Sequence, residues 1–117
     1  MLFRSFRTLL ALGILSFSAW AADIRQGATI QVKADSIWFQ DKPRLSHWQK
    51  LKKNHSPELA SYQEKELGSR NAWQFSKPLA VKILGYDVAR NQVKVQMVTE
   101  GRMKGSIWWL DASALKK

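Results

Sequence analysis

Leu79-Ala80-Val81-Lys82-Ile83 and Gln92-Val93-Lys94-Val95-Gln96-Met97 decide how this chain folds. In the first stretch Leu79, Val81 and Ile83 alternate with Ala80 and Lys82. In the second, Val93, Val95 and Met97 alternate with Gln92, Lys94 and Gln96. A period of two puts the apolar residues on one side of an extended chain and the polar ones on the other. Asp87 to Asn91 between them is polar and turn-forming, so the two strands are expected to pair as an antiparallel hairpin.

Working outward, Glu100-Gly101 marks the next reversal. Ser106 to Leu110 reads as a third strand, and Asp111 to Leu115 as a short helical turn. On the other side, Ala28 to Phe39 alternates through Ile30 and Val32, bends at Ala34-Asp35 and continues in Ser36-Ile37-Trp38-Phe39. Residues 42–70 lose the alternation and read as two short helices. In the first, Leu45, Trp48 and Leu51 make one stripe, with Asn54 as the stop. In the second, Ser56 is the expected N-cap, with Pro57 at the first helical position and Glu58 at the positive end of the dipole. Leu59, Tyr62, Glu66 and Leu67 keep a helical period, and Gly68 is the expected left-handed stop. Short strands joined by tight turns, in so short a chain, argue for a small barrel.

Three segments carry a family resemblance: Val81-Lys82-Ile83-Leu84, Val93-Lys94-Val95-Gln96, and Gly105-Ser106-Ile107-Trp108-Trp109-Leu110-Asp111-Ala112-Ser113-Ala114-Leu115. In this order they resemble a bacterial SH3-like barrel. The last is similar to the closing signature of those domains, a Gly-Trp-Val followed after a few residues by an aromatic and Leu. Trp109-Leu110 match the Trp-Val pair, Ala112-Ser113 the small residues and Leu115 the final Leu. The pattern departs at Trp108, where the signature has Gly, and at Ala114, where it usually has Tyr. The resemblance implies a mainly β fold, a small SH3-like barrel of about five strands plus two short helices. Strands would come from about 28–39 and 73–115, and the helices would be an insertion in the first long loop, about 42–70. Exported modules of this resemblance commonly attend to cell-wall peptides, although the fold hosts many activities.

The beginning of the chain reads as an export signal. Arg4 and Arg7 give a positive start, Leu9 to Phe17 a short apolar core, and Ala19-Trp20-Ala21 the small–x–small pattern of a cleavage site. The apolar run is shorter than the roughly 20 residues that span a bilayer. Residues 1–21 are therefore expected to be removed, leaving 22–117 as one domain without a transmembrane segment. The protein is expected in the periplasm or secreted, where no nucleotide cofactor pool exists. With no cysteine, neither disulfide nor thiolate metal site is available.

The whole chain carries 19 Lys and Arg against 9 acidic residues, a net charge of +10. Loss of Arg4 and Arg7 would leave it near +8. Outside the cytoplasm such a charge fits an anionic glycan, lipopolysaccharide, a phospholipid surface or an acidic protein, or it serves solubility alone.

Catalysis finds little support. His47 and His55 lack His-x-x-x-His spacing, Ser46-His47 are mere sequence neighbours, and the carboxylates are scattered. No cofactor, metal site or catalytic residue is expected.

The aromatic content is more telling: Trp38, Trp48, Trp73, Trp108 and Trp109 follow Ala21. Strand neighbours point to opposite faces, so Trp108 and Trp109 cannot both be interior. The outward one meets the helices or offers a platform to a sugar ring or extended peptide. Lys42, Arg44, Lys50, Lys52 and Lys53 make the first helix basic, either as a solvated face or as a reader of phosphate and carboxylate groups. The expected function is non-catalytic recognition of a cell-wall component or envelope peptide through Trp38, Arg44, Trp48, Lys50, Lys52 and Trp108. The alternative is an interaction or inhibitor subunit docking on an acidic envelope or secreted partner.

Overall fold

The computed structural model describes residues 24–116; the expected export signal at 1–21 lies outside them. Six strands form one antiparallel sheet: β1 (Thr29–Val32), β2 (Ile37–Phe39), β3 (Ala72–Gln74), β4 (Leu79–Asp87), β5 (Gln92–Met97) and β6 (Ile107–Asp111). Their spatial order is β1-β4-β5-β6-β2-β3. Two helices, α1 (Lys42–Lys53) and α2 (Leu59–Gly68), lie in the chain between β2 and β3.

The β4–β5 hairpin pairs as its alternation predicts, from Val81 opposite Met97 to Asp87 opposite Gln92, with a register shift between Ile83 and Gly85. The bend before β2 falls at Asp35, whose φ is 63°. The strand count corrects the expected five. The extra strand is β3, whose three residues are too few to show an alternation of their own. It exists because Ala72, Trp73 and Gln74 return alongside Phe39, Trp38 and Ile37. The helical segment is thus the tip of a long β2–β3 hairpin. After β6 a 3-10 turn (Ala112–Ala114) leads Leu115 into a bridge with Val32. Lys33 N–H also bonds Ala114 C=O at 2.8 Å, and Lys116 N–H bonds Gln31 C=O at 2.8 Å.

Alternation along the strands sorts the apolar residues into two clusters. Val81, Ile83, Val93, Val95, Trp108 and Leu110 face one side and join Trp38 in the main core. Ile37 and Phe39, the neighbours of Trp38, face the other side and pack with Leu45 and Trp48 of α1 and with Ala72. The helices therefore cover one face of the sheet and leave the main core to the other.

α1 begins at Asp41, whose side chain accepts a hydrogen bond from Arg44 N–H at 2.9 Å. Asn54 caps its end as expected. Ser56 N–H then bonds Leu51 C=O and His55 N–H bonds Lys52 C=O, the two bonds of a Schellman stop, with His55 at φ 50°. α2 starts at Leu59, later than the Ser56-Pro57 signal indicates. Ser56 Oγ still accepts from Glu58 N–H at 3.1 Å, but it closes a local turn ahead of the helix. Gly68 is likewise not the left-handed residue. The same pair of bonds, Asn71 N–H to Glu66 C=O and Arg70 N–H to Leu67 C=O, places Arg70 there at φ 61°.

Candidate functional site

The six residues expected to form a site do not converge on one surface. Trp38 is 1% exposed and meets Phe75 edge-on at 4.9 Å and Trp108 at 6.0 Å. Trp108 is 2% exposed, and its indole N–H donates to Ser106 Oγ at 2.7 Å. Trp48 is 7% exposed, packs on Phe39 and donates its indole N–H to Gln63 Oε1 of α2 at 2.6 Å. All three are core residues, which corrects the aromatic platform expected of them. The physical reason is parity: each occupies the position of its strand or helix that turns inward.

Arg44 is also structural. Its Nε lies 3.1 Å from Glu66 Oε2, and its guanidinium pairs with Asp41 as well. Burial alone would lower the Arg44 pKa, but the charges and hydrogen bonds of Asp41 and Glu66 outweigh it and hold the pKa above its usual value. Glu66 is 6% exposed, so the ion pair ties the start of α1 to the end of α2 through a buried carboxylate. Tyr62 O–H adds a bond to Arg44 C=O at 3.2 Å.

Lys50 and Lys52 do sit together, on the rim of a cleft of about 660 Å³ between α1 and the β4–β5 turn. Ser46, Gln49 and Lys53 share its α1 wall, and Arg90, Asn91 and Gln92 form the opposite one. The helix delivers these side chains because positions 46, 49, 50 and 53 fall on one face. Lys52 is also held over the Trp48 ring at 4.8 Å. Beside this cleft Lys42 and Lys94 flank the half-buried ring of Trp109, at 5.7 and 5.8 Å.

A polar network forms the cleft's base. Gln92, 1% exposed, donates from Nε2 to Ser46 Oγ at 2.8 Å and to Gln49 Oε1 at 2.9 Å. Gln49 Nε2 in turn donates to Asn91 C=O at 3.1 Å and Asp111 Oδ1 at 2.6 Å. Asp111, the one carboxylate in the lining, also accepts from the Asn91 side-chain amide and from Ser113 N–H. Its oxygens are thus taken up by hydrogen bonds with the framework. Gln92 Oε1 is buried with no partner.

Lys53, Arg90 and Gln92 were outside the expected site. Arg90-Asn91-Gln92 reads as an ordinary hairpin turn, and only the docking of α1 beside it makes a cleft. Among the described residues no cluster of His, Asp or Glu could hold a metal ion, and no helix is long and apolar enough to cross a membrane. Comparison with protein-family models, with curated proteins and with solved structures finds no match to this chain.

Proposed function

We propose that this chain is an exported, non-catalytic binding module that grips phosphate or carboxylate groups of a cell-envelope polymer in the cleft between α1 and the β4–β5 turn. The observation that carries the reading is the cleft's charge. Lys50, Lys52, Lys53 and Arg90 line it, and its single carboxylate, Asp111, is engaged by Gln49, Asn91 and Ser113. A concave wall of one sign concentrates counter-charged groups. Two of the residues expected from sequence, Lys50 and Lys52, belong to it; the indoles of Trp38, Trp48 and Trp108 serve the core beneath.

The scaffold fits an SH3-like barrel. Supporting that, β1 pairs with β4 on one side and meets Leu115, just after the 3-10 turn, on the other. The helices sit in the first long connection, where the resemblance puts the insertion. Export is supported by Arg4, Arg7, the Leu9–Phe17 run and Ala19-Trp20-Ala21.

Sedimentation of the purified protein with peptidoglycan, with and without its attached anionic polymers, tests the binding reading. Binding should need the polymers and collapse between about 0.01 M and 1 M salt, as the Debye length falls from about 30 to 3 Å. The Lys50→Glu/Lys53→Glu variant should lose it. Salt-resistant binding, or full binding by that variant, would overturn the proposal. Mass spectrometry of the protein from the envelope fraction should find an N-terminus at Ala22; an intact, cytoplasmic chain would overturn export.

A further inference from the structure

We infer that a smaller pocket adjoining the cleft binds one uncharged sugar ring. Lys52 and Asp111 line both hollows, whereas Lys50, Lys53 and Arg90 line the cleft alone. What the pocket takes follows from its own groups and does not depend on what the cleft binds.

The β1–β2 bend, α1, α2, the end of β3 and the turn after β6 meet around this pocket. Its volume is about 270 Å³, just under the roughly 300–1,000 Å³ that houses a drug-sized ligand. It has room for one ring and not for a chain of them. The walls are fixed before any ligand arrives. Asp35 N–H bonds Phe75 C=O at 2.7 Å, and Gln74 Nε2 donates to Asp35 C=O at 2.7 Å, so the bend is pinned to the end of β3. On the other side the Trp48 indole N–H holds Gln63 Oε1 at 2.6 Å and joins α1 to α2. A preformed site of this kind binds with little ordering cost.

Ile37, Trp48 and Ala114, each no more than 8% exposed, give the pocket an apolar floor. Around it stand donors and acceptors that the fold leaves uncommitted. Among the described residues the Asp35 carboxylate and the Ser36 hydroxyl make no hydrogen bond. Gln63 keeps its Nε2 free and Gln74 its Oε1, because each uses only its other amide atom. A sugar ring matches such a lining: its hydroxyls both donate and accept, and its C–H faces suit the floor.

Charge separates this ligand from the one in the cleft. Of the three charged side chains lining the pocket, Asp111 is taken up by Gln49, Asn91 and Ser113. That leaves Asp35 and Lys52, neither of which forms an ion pair among the described residues. A phosphate or carboxylate would meet the Asp35 carboxylate, and a cation would meet the Lys52 ammonium. An uncharged ligand meets neither penalty, and one carboxylate can accept from two neighbouring hydroxyls.

The test is an NMR titration of the isotopically labelled chain with the methyl glycosides of glucose, galactose, mannose and N-acetylglucosamine. At least one should shift the side-chain amides of Gln63 and Gln74. Its affinity should be the same at about 0.01 M and 1 M salt, because no charge pair forms. Asp35→Gly suits the φ of 63° and removes the free carboxylate, so it should weaken binding by about tenfold or more. Ser36→Ala should weaken it severalfold and decides alone if Asp35→Gly fails to fold. Lys50→Glu/Lys53→Glu should bind the glycoside as the parent does, so a failure of the cleft and a failure of the pocket are told apart. No shift with any of the four, salt-sensitive binding, a stronger response of the same amides to glycine or inorganic phosphate, or full affinity in Asp35→Gly would each overturn the inference.

Discussion

Trp108 and Trp109, adjacent in sequence, serve the two opposite faces of β6. Trp108 stands edge-to-face with Trp38 and Trp73 in the main core, while Trp109 packs with Phe39 and Leu45 beneath α1. One strand thereby anchors both layers of the molecule, and the two residues should fail differently when removed.

Trp108→Ala should cost about 3–5 kcal/mol, the usual range for deleting a buried large aromatic. That is much of the roughly 5–15 kcal/mol that holds a small domain together. Trp109→Ala, at a half-buried position, should cost less and loosen mainly α1. Urea unfolding followed by circular dichroism would check the order. Equal midpoints for the two variants would contradict the division of labour.

Arg44 and Lys50 lie on the same helix and should separate by phenotype. Arg44→Ala strands the buried Glu66 carboxylate, so it should lower the thermal midpoint clearly and leave polymer binding intact in the folded fraction. Lys50→Ala should keep stability within about 0.5 kcal/mol, as exposed substitutions usually do, and weaken binding. Parallel melting and sedimentation measurements decide it; the reverse pattern would return Arg44 to the ligand site.

Gln92 sets two opposing effects against each other. Gln92→Leu forfeits two hydrogen bonds worth about 0.5–1.5 kcal/mol each, but it also removes an unpaired buried carbonyl that costs about 1–3 kcal/mol. Ser46 Oγ and Gln49 Oε1 lose their donor but are half-buried and can turn to water, so the opposing effects should leave a net change within about 2 kcal/mol. Gln92→Ala leaves a void beneath α1 as well and should be the less stable of the two in urea.

The hairpin, the bend at Asp35, both helices and the 3-10 turn were legible because each is written locally, in a period or a turn residue. β3 was not, since its partner lies more than thirty positions away across the helical segment. The opposed faces of Trp108 and Trp109 followed from parity, yet parity alone could not say which faced in. The Trp109 side is covered only because α1 folds back over β2 and β6, with α2 packed beside it on β3. For the same reason Lys50 and Lys52 were found from composition. Arg90, which helps make them a cleft, was not.

Tyr62 should make the protein sensitive to alkali. Burial raises its pKa above the usual 10.0, with the negative charges of Glu66 and Asp41 adding to the rise and Arg44 opposing it. The fold therefore favours the protonated phenol. That contribution is complete below the unfolded pKa and is lost as pH rises through the higher folded one. Tyr62→Phe gives up the bond to Arg44 C=O, about 0.5–1.5 kcal/mol at neutral pH, but should lose less stability in alkali than the parent. Urea midpoints at neutral and alkaline pH, with phenolate absorbance, would show the gap closing. Parallel curves would refute the assignment.

His55 and Arg70 occupy the same left-handed position at the ends of α1 and α2, and each can be replaced by the residue that position prefers. A side chain there costs about 1–2 kcal/mol, part of which glycine gives back by loosening the unfolded chain. His55→Gly and Arg70→Gly should each therefore raise stability by about 0.5–1 kcal/mol, read as a higher urea midpoint with an unchanged slope. Neither residue lines the cleft beside α1, so both variants should bind the anionic polymer normally in sedimentation. A lowered urea midpoint in either variant would contradict the left-handed strain assigned to it.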